Sequence, residues 1–193
     1  PERQERTRPR MIDTWREVRG DRAMVEALLG KVPLVLVNGV AWVMLNERSL
    51  HLPTLGVAAI ALGALQAARA VGTGIGPWIT QAVGARLGDA AAWGLASWAT
   101  FSGIALFALS EHPGWLLVWT ALWGAGIGAN WVQTTARRQR LATDEHQGRL
   151  AGLDALITTV ASVTLTLVGA WVGDTFGDVR AGLWLGMALA ITA

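Results

Sequence analysis

One arginine lies inside a long apolar stretch of the chain, where a cation could recognise a solute or control its passage. Gln66 and Thr73 lie three and four residues from Arg69, so a helix places the three side chains on one face. A charge in hydrocarbon costs at least about 2.5 kcal/mol, which requires a water-filled cavity or a partner. Arg69 is therefore predicted to line a pathway. An arginine that snorkels towards the headgroups, or pairs with another helix, is the structural alternative.

Other polar side chains interrupt the apolar stretches. Asn38 lies midway along the first, Asn130 and Gln133 lie towards the end of the fourth, and Lys31 lies near the start of the first. Such side chains either line a pathway or join helices by hydrogen bonds. The predicted pathway residues are Gln66, Arg69, Thr73, Asn38, Asn130 and Gln133.

Glycines are arranged in two informative ways. Gly72, Gly74 and Gly76 precede Pro77 in an apolar run with no strand before it, which excludes a nucleotide-binding loop and predicts a helix bend. Glycines also recur four residues apart, a spacing that lets helix backbones approach closely in lipid. The pairs are Gly72 and Gly76, Gly124 and Gly128, Gly148 and Gly152, Gly169 and Gly173, and Gly182 and Gly186.

The residues that catalysis or metal binding would need are not arranged for it. The chain has no cysteine and no GxSxG or HExxH motif, and His51, His112 and His146 fall far apart in predicted loops. We therefore expect no enzymatic activity, no metal and no cofactor. The sequence pI of about 10.3 could indicate nucleic-acid binding, but the arginines lie beside apolar runs, which favours a membrane protein without a nucleic-acid partner.

The elements that carry these residues are long apolar runs. Hydrophobic residues make up 52% of the chain and charged residues 16%, against about 25% charged in globular domains. About 20 apolar residues cross a bilayer as a helix. The predicted runs are 27–46, 55–78, 91–110, 114–136, 150–172 and 181 onward. The fold class is therefore all-α, a polytopic bundle of six transmembrane helices.

The ends of the chain favour a fragment of a longer protein. The chain starts with Pro1 and stops inside the sixth apolar run, which is too short to span a bilayer and is read as truncated. Residues 1–26 are predicted to form a cytoplasmic linker, and residues 27–193 the transmembrane domain. Within the linker, Met11, Ile12, Trp15 and Val18 share one helical face. They predict a helix lying in the membrane interface, with a solvated linker as the alternative.

Arginines are distributed unequally between the two predicted sides. Seven arginines in 1–22, Arg86 and four in 137–149 fall on one side, and Arg48 and Arg180 on the other. The positive-inside rule makes the first side cytoplasmic, which places 1–22 and 137–149 in the cytoplasm. Asp144 is predicted to cap the fifth helix together with Gln147, and Asp154 to interact with the positive end of that helix.

The arrangement resembles the C-terminal half of a major facilitator superfamily transporter of the drug-exporter type. The segment RPRMIDTWREVRGDRAMVEALLG (8–30) resembles its central linker, and QRLATDEHQGRLAGLDALI (139–157) the loop before its eleventh helix. In that loop Asp144, Glu145, Gly148 and Arg149 match, whereas Ala142 and Thr143 replace a common proline and Gln147 replaces an arginine. The segment AVGARLGD (82–89) is similar to a degenerate copy of the family's loop motif, ending at Asp89.

The resemblance implies a secondary permease of the cell membrane that works by alternating access. Its partners would be the lipid bilayer, a small-molecule substrate and a missing N-terminal six-helix half. Its activity would be the export of an amphipathic compound. Asp89, Asp144, Gly148 and Arg149 would belong to the gating loops. A membrane scaffold and an intramembrane enzyme are the alternative functions.

Overall fold

A computed structural model describes residues 11–52 and 58–192, and all regular structure within these ranges is α-helical, which confirms the all-α prediction. The helices are α1 (Met11–Val18), α2 (Arg22–Leu29), α3 (Val32–Leu50), α4 (Ala58–Leu87), α5 (Asp89–Leu109), α6 (Pro113–Leu141), α7 (Asp144–Phe176) and α8 (Val179–Thr192).

Four of these helical stretches are long and apolar enough to cross a membrane. They are Arg22–Leu50, which contains α2 and α3, together with Ala58–Leu87, Asp89–Leu109 and His146–Phe176. The fourth predicted run forms the single 29-residue helix α6, but its glycines and its Asn, Gln and Thr side chains make it less apolar than the other four. The sixth run forms α8, which has 14 described residues. Six spans were predicted, and four meet the requirement.

Local sequence accounts for where several helices begin and end. The Asp21 carboxylate accepts hydrogen bonds from the backbone N–H groups of Ala23 and Met24, at 2.9 and 3.3 Å, and so caps α2. Two glycines adopt positive φ where the chain turns: Gly88 (φ 90°) before α5 and Gly177 (φ 67°) after α7. Gly177 has the left-handed conformation that commonly ends a helix, which glycine adopts readily because it has no Cβ to clash.

The helix α7 begins earlier than the sequence predicted. Its N-cap residue is Thr143, so Asp144 is the first helical residue and the predicted Asp144 cap is wrong. His146, predicted to lie in a loop, lies in the first turn. Asp154 then lies ten residues into the helix, about 15 Å from its start at 1.5 Å per residue. Its predicted interaction with the helix N-terminus is therefore wrong as well.

The helices α4 and α6 pack through paired glycines. A Cβ added to Gly72 or Gly76 would collide with the backbone of Ala121 or Ala125 in α6, and one added to Gly124 or Gly128 would collide with the backbone of Arg69 or Thr73 in α4. These two predicted small-residue pairs therefore form one interface. A Cβ added to Gly169 in α7 would similarly collide with Val40 in α3, and one added to Gly182 in α8 would lie 3.0 Å from Gly169, whereas one added to Gly148 would meet nothing within 4 Å.

The predicted bend in α4 stays a prediction. Pro77 lies inside the helix, which continues to Leu87, so the glycine and proline stretch does not end it. Gly74 lies on the exposed side of α4, with open space around the position of a Cβ. The three glycines therefore differ in role, since only Gly72 and Gly76 face α6.

The N-terminal helices pack against the start of α7. Trp15 and Val18 of α1 pack on a buried cluster that Met24 and Leu28 of α2 form with Leu150 and Leu153. The predicted helix around Trp15 is present, and the Trp15 side chain packs against other residues of the chain. The side chains of Met11 and Ile12 and all of residues 1–10 lie outside the described part. At the opposite end of the bundle, Arg48 donates to the carbonyls of Ala108 and Ser110 at the end of α5, at 2.8 and 2.9 Å.

The α4–α6 interface predicts a pair of variants with opposite effects. Gly76→Ala should lower the free energy of unfolding by about 1–3 kcal/mol, because its Cβ would lie 2.7 Å from the Ala125 Cα. Gly74→Ala should leave it unchanged or raise it by up to about 1 kcal/mol, because alanine favours helix and the site is open. Denaturant unfolding in mixed micelles measures both. Equal effects of the two substitutions on the free energy of unfolding would contradict the close packing of α4 against α6.

Candidate functional site

Three charged side chains from three helices meet at one end of the bundle. The Lys31 Nζ atom, at the start of α3, lies 2.7 Å from Oδ2 of Asp154 in α7. Arg138, near the end of α6, donates a hydrogen bond to the same Oδ2 atom. The Lys31 and Asp154 side chains are only 3% and 7% exposed, and Arg138 is 11% exposed. We call Lys31, Arg138 and Asp154 the charged cluster.

The charged cluster contains two cations and one carboxylate, so its formal charge is +1. Burial of a charge is stabilised only where ion pairing and hydrogen bonds replace water. Oδ2 of Asp154 has both partners, whereas its Oδ1 atom has no hydrogen-bond partner within the described residues. The cluster therefore joins α3, α6 and α7, and within the described residues one carboxylate oxygen has no donor and one positive charge has no further acid.

An aromatic ring covers part of the Lys31 ammonium group. The Nζ atom lies 4.3 Å from the ring centroid of Trp131 in α6, within the range of a cation–π interaction. Trp131 is itself 51% exposed. The ammonium group is thus positioned by an acid on one side and an indole ring on the other.

A cavity of about 300 Å³ lies beside the charged cluster, between α3, α6 and α7. This volume is at the lower end of the range for small-molecule sites, roughly 300–1,000 Å³. Among the described residues that line the cavity, Lys31 is the one that carries a charge. The lining residues are Lys31, Leu34, Val35, Asn38, Ile127, Asn130, Trp131, Thr158, Thr159, Ser162 and Val163.

The two asparagines of the cavity differ in their hydrogen bonding. The Asn38 Oδ1 atom accepts a hydrogen bond from the Trp123 indole N–H at 3.1 Å. Asn130 is buried, and its amide group donates to the Gly126 carbonyl at 3.0 Å, but its Oδ1 atom has no partner within the described part of the chain. Asn130 therefore lines the cavity beside Lys31, while its unpartnered Oδ1 atom is buried in the protein.

Arg69 lies over the face of the Trp123 ring, and the indole N–H group at the edge of that ring bonds to Asn38. Its guanidinium carbon lies 4.4 Å from the Trp42 ring centroid and 5.5 Å from that of Trp123, and its Nε atom donates to the Gln66 side chain at 3.3 Å. No carboxylate of the described residues forms an ion pair with it. Aromatic faces therefore stabilise this cation, and Trp123 connects it to Asn38 and the cavity.

The structure brings some of the predicted pathway residues together and separates others. Asn38 and Asn130 line the cavity. Arg69 contacts the Trp123 ring, which bonds to Asn38, and Gln66 bonds to Arg69, so these two residues are connected to the cavity indirectly. Thr73 is exposed and its hydroxyl donates to the Arg69 carbonyl, at 2.9 Å, within its own helix. Gln133 does not line the cavity, although its Nε2 atom is buried without a partner in the described structure. Their role in a pathway stays a prediction.

The residues assigned to gating loops do not join the cavity. Asp89 and Asp144 are the first residues of α5 and α7. Gly148 lines a separate cleft of about 230 Å³ beside Arg138, and Arg149 is half-buried in α7. Sequence reasoning missed the charged cluster, because Lys31 and Asp154 are 123 residues apart and α7 was expected to begin nearer Asp154. Their opposite charges inside apolar runs were the available signal.

The charged cluster predicts a large effect of removing its acid. Asp154→Ala should lower the free energy of unfolding by about 3–5 kcal/mol, because it leaves the two cations of the charged cluster without their carboxylate. Unfolding in mixed micelles measures this. As a control, Arg137→Ala should have little effect, because its ion pair with Glu26 (3.0 Å) joins side chains that are 54% and 46% exposed. An Asp154→Ala variant as stable as the control would show that the buried pairing contributes little.

No protein-family model, no curated protein and no solved structure matches this chain. The functional assignment therefore depends on the charged cluster, the adjacent cavity and the membrane-length helices.

Proposed function

We propose that the protein transports a small solute across a membrane by alternating access, as a secondary permease. The observation that supports this best is the cavity beside Lys31, which lies between α6 and two helices, α3 and α7, that belong to membrane-length stretches. Ionisable side chains inside such stretches are costly, and they mark substrate or ion pathways in membrane proteins. A cavity with polar groups among apolar walls is the usual form of a solute site.

One edge of the cavity is exposed, which supports the proposal that further helices enclose the pathway. Trp131 and Val163 line the cavity and are each 51% exposed. A second six-helix half, as the resemblance to the major facilitator superfamily implies, would cover this edge and complete the wall. The site would then lie between two halves that rock against each other, which is the arrangement of such permeases. Export of an amphipathic compound is the activity we propose.

Arg69 has a positioning role in this proposal. Its guanidinium group holds the faces of Trp42 and Trp123, and Trp123 donates to Asn38 on the cavity wall. A change at Arg69 would therefore alter the cavity through the tryptophan, without direct contact with the solute.

A bulky substitution on the cavity wall tests the transport proposal. In vesicles that contain the complete gene product, Thr159→Trp should reduce solute transport by roughly tenfold or more, because an indole group would fill much of a cavity of about 300 Å³. Val160→Trp is the matched control: it lies next along α7, is 56% exposed and does not line the cavity. The measurement is uptake or efflux across a screen of labelled solutes.

Three outcomes of this screen would argue against the proposal. They are the absence of transport by the unmodified protein, equal inhibition by both substitutions, and full transport by Thr159→Trp. A scaffold protein would give the first of these.

The orientation of the bundle in a cell membrane gives a separate prediction. The arginine-rich residues 137–149 should face the cytoplasm. Because the chain has no cysteine, Gln139→Cys introduces a unique label site into it. An impermeant maleimide should label this site only after the cells are opened, whereas labelling of intact cells would reverse the proposed topology.

A further inference from the structure

We infer that the cavity beside Lys31 binds a small amphipathic organic anion, with a carboxylate or similar group near the Lys31 ammonium. This inference rests on the proposed function and specifies the class of its substrate. It follows from the charge balance of the cluster, from the chemistry of the cavity wall and from one buried acceptor.

The charge balance is the first step. Lys31 and Arg138 share the single carboxylate of Asp154, through one of its two oxygens. The described residues that line the cavity include no acid, and Lys31 is their one charged member. An incoming anion would compensate the excess positive charge beside Lys31, whose side chain is only 3% exposed, and charge–charge interactions are stronger there than in bulk water. An incoming cation would meet repulsion from Lys31 with no acid on the cavity wall.

The cavity wall provides the second step. Leu34, Val35, Ile127 and Val163 give it apolar surface, and Trp131 adds an indole ring. Such a wall suits an apolar or aromatic body attached to the anionic group. A small inorganic anion would leave that surface unfilled, and the volume of about 300 Å³ suits a body of one or two rings.

The third step is the buried Oδ1 atom of Asn130, which has no partner within the described structure. A buried acceptor without a donor is unfavourable, and rotation of the Asn130 side chain towards the cavity would let a hydroxyl or N–H group on the solute satisfy it. The complementary solute therefore carries an anionic group for Lys31, an apolar body and a hydrogen-bond donor for Asn130.

Matched probes test the inference by direct binding. Indole-3-acetate, indole-3-acetamide and tryptamine share an indole ring and its N–H donor but carry a negative, a neutral and a positive side chain. In nanodiscs of phosphatidylcholine, the complete gene product should bind indole-3-acetate roughly tenfold more tightly than either other probe, since charge-assisted hydrogen bonds are the stronger ones. Isothermal titration calorimetry measures the three dissociation constants. Failure to bind indole-3-acetate, or equal binding of the three probes, would overturn the inference.

Three variants separate the site from general electrostatic attraction. Lys31→Gln should abolish the preference for the anion, whereas Arg86→Gln, an exposed cation near the end of α4, should retain it. Asp154→Asn gives a second measurement, which is interpretable even if this variant is less stable than the unmodified protein. Indole-3-acetate should raise the Tm of Asp154→Asn by more than it raises the Tm of the unmodified protein, because the anion replaces the lost carboxylate. An equal or smaller rise in Asp154→Asn would contradict the assignment.

Two further comparisons identify the source of the anion and separate this inference from the transport proposal. An anionic lipid headgroup has the same chemistry, so binding is repeated in phosphatidylglycerol nanodiscs; loss of indole-3-acetate binding there would assign the site to lipid and overturn the solute proposal. Anion binding without transport of any solute would refute the permease function alone. Transport with no preference for anions would refute the present inference alone.

Discussion

The close approach of α4 and α6 is the constraint on which the cavity depends. Glycines on both helices bring the two backbones into contact, so larger side chains cannot be placed there without separating them. The same helix α6 carries Asn130, Trp131 and Arg138 along the side that meets α3 and α7. A displacement of α6 by the size of one methyl group would therefore alter the Trp131 contact with Lys31 and the Arg138 contact with Asp154 together.

Electrostatics impose a second requirement on the same helices. Ions that are removed from water need partners, and among the described side chains Asp154 is the acid that pairs with the two cations of the charged cluster. The acid lies well inside α7, beyond the first turns whose free N–H groups could stabilise it. Its stabilisation therefore comes from α3 and α6, and the fold is held at this end by contacts between residues far apart in sequence.

Elements with a local cause could be predicted from the sequence, whereas the site could not. The apolar runs predicted helices, and the spacing of Gly72, Gly76, Gly124 and Gly128 predicted close packing, because both follow from helical periodicity. Residues 137–149, between the fourth and fifth predicted runs, were read as a loop, although charged residues are also good helix formers and most of this segment lies in α6 and α7. That boundary error placed Asp154 at a helix end. Its pairing with Lys31 depends on the relative positions of α3 and α7, which local patterns do not encode.

The charged cluster gives the proposed anion site a means of coupling binding to helix movement. Lys31 both joins α3 to α7 through Asp154 and presents its ammonium group to the cavity. An anion that binds there shares the Lys31 ammonium group with Asp154, so it weakens the ion pair that connects the two helices. A ligand shifts a conformational equilibrium only by its difference in affinity for the two states. Competition for Lys31 supplies such a difference in affinity. The anion binds more tightly where α3 and α7 have separated, because Asp154 then no longer shares the Lys31 ammonium group. A neutral solute of the same shape has no such preference.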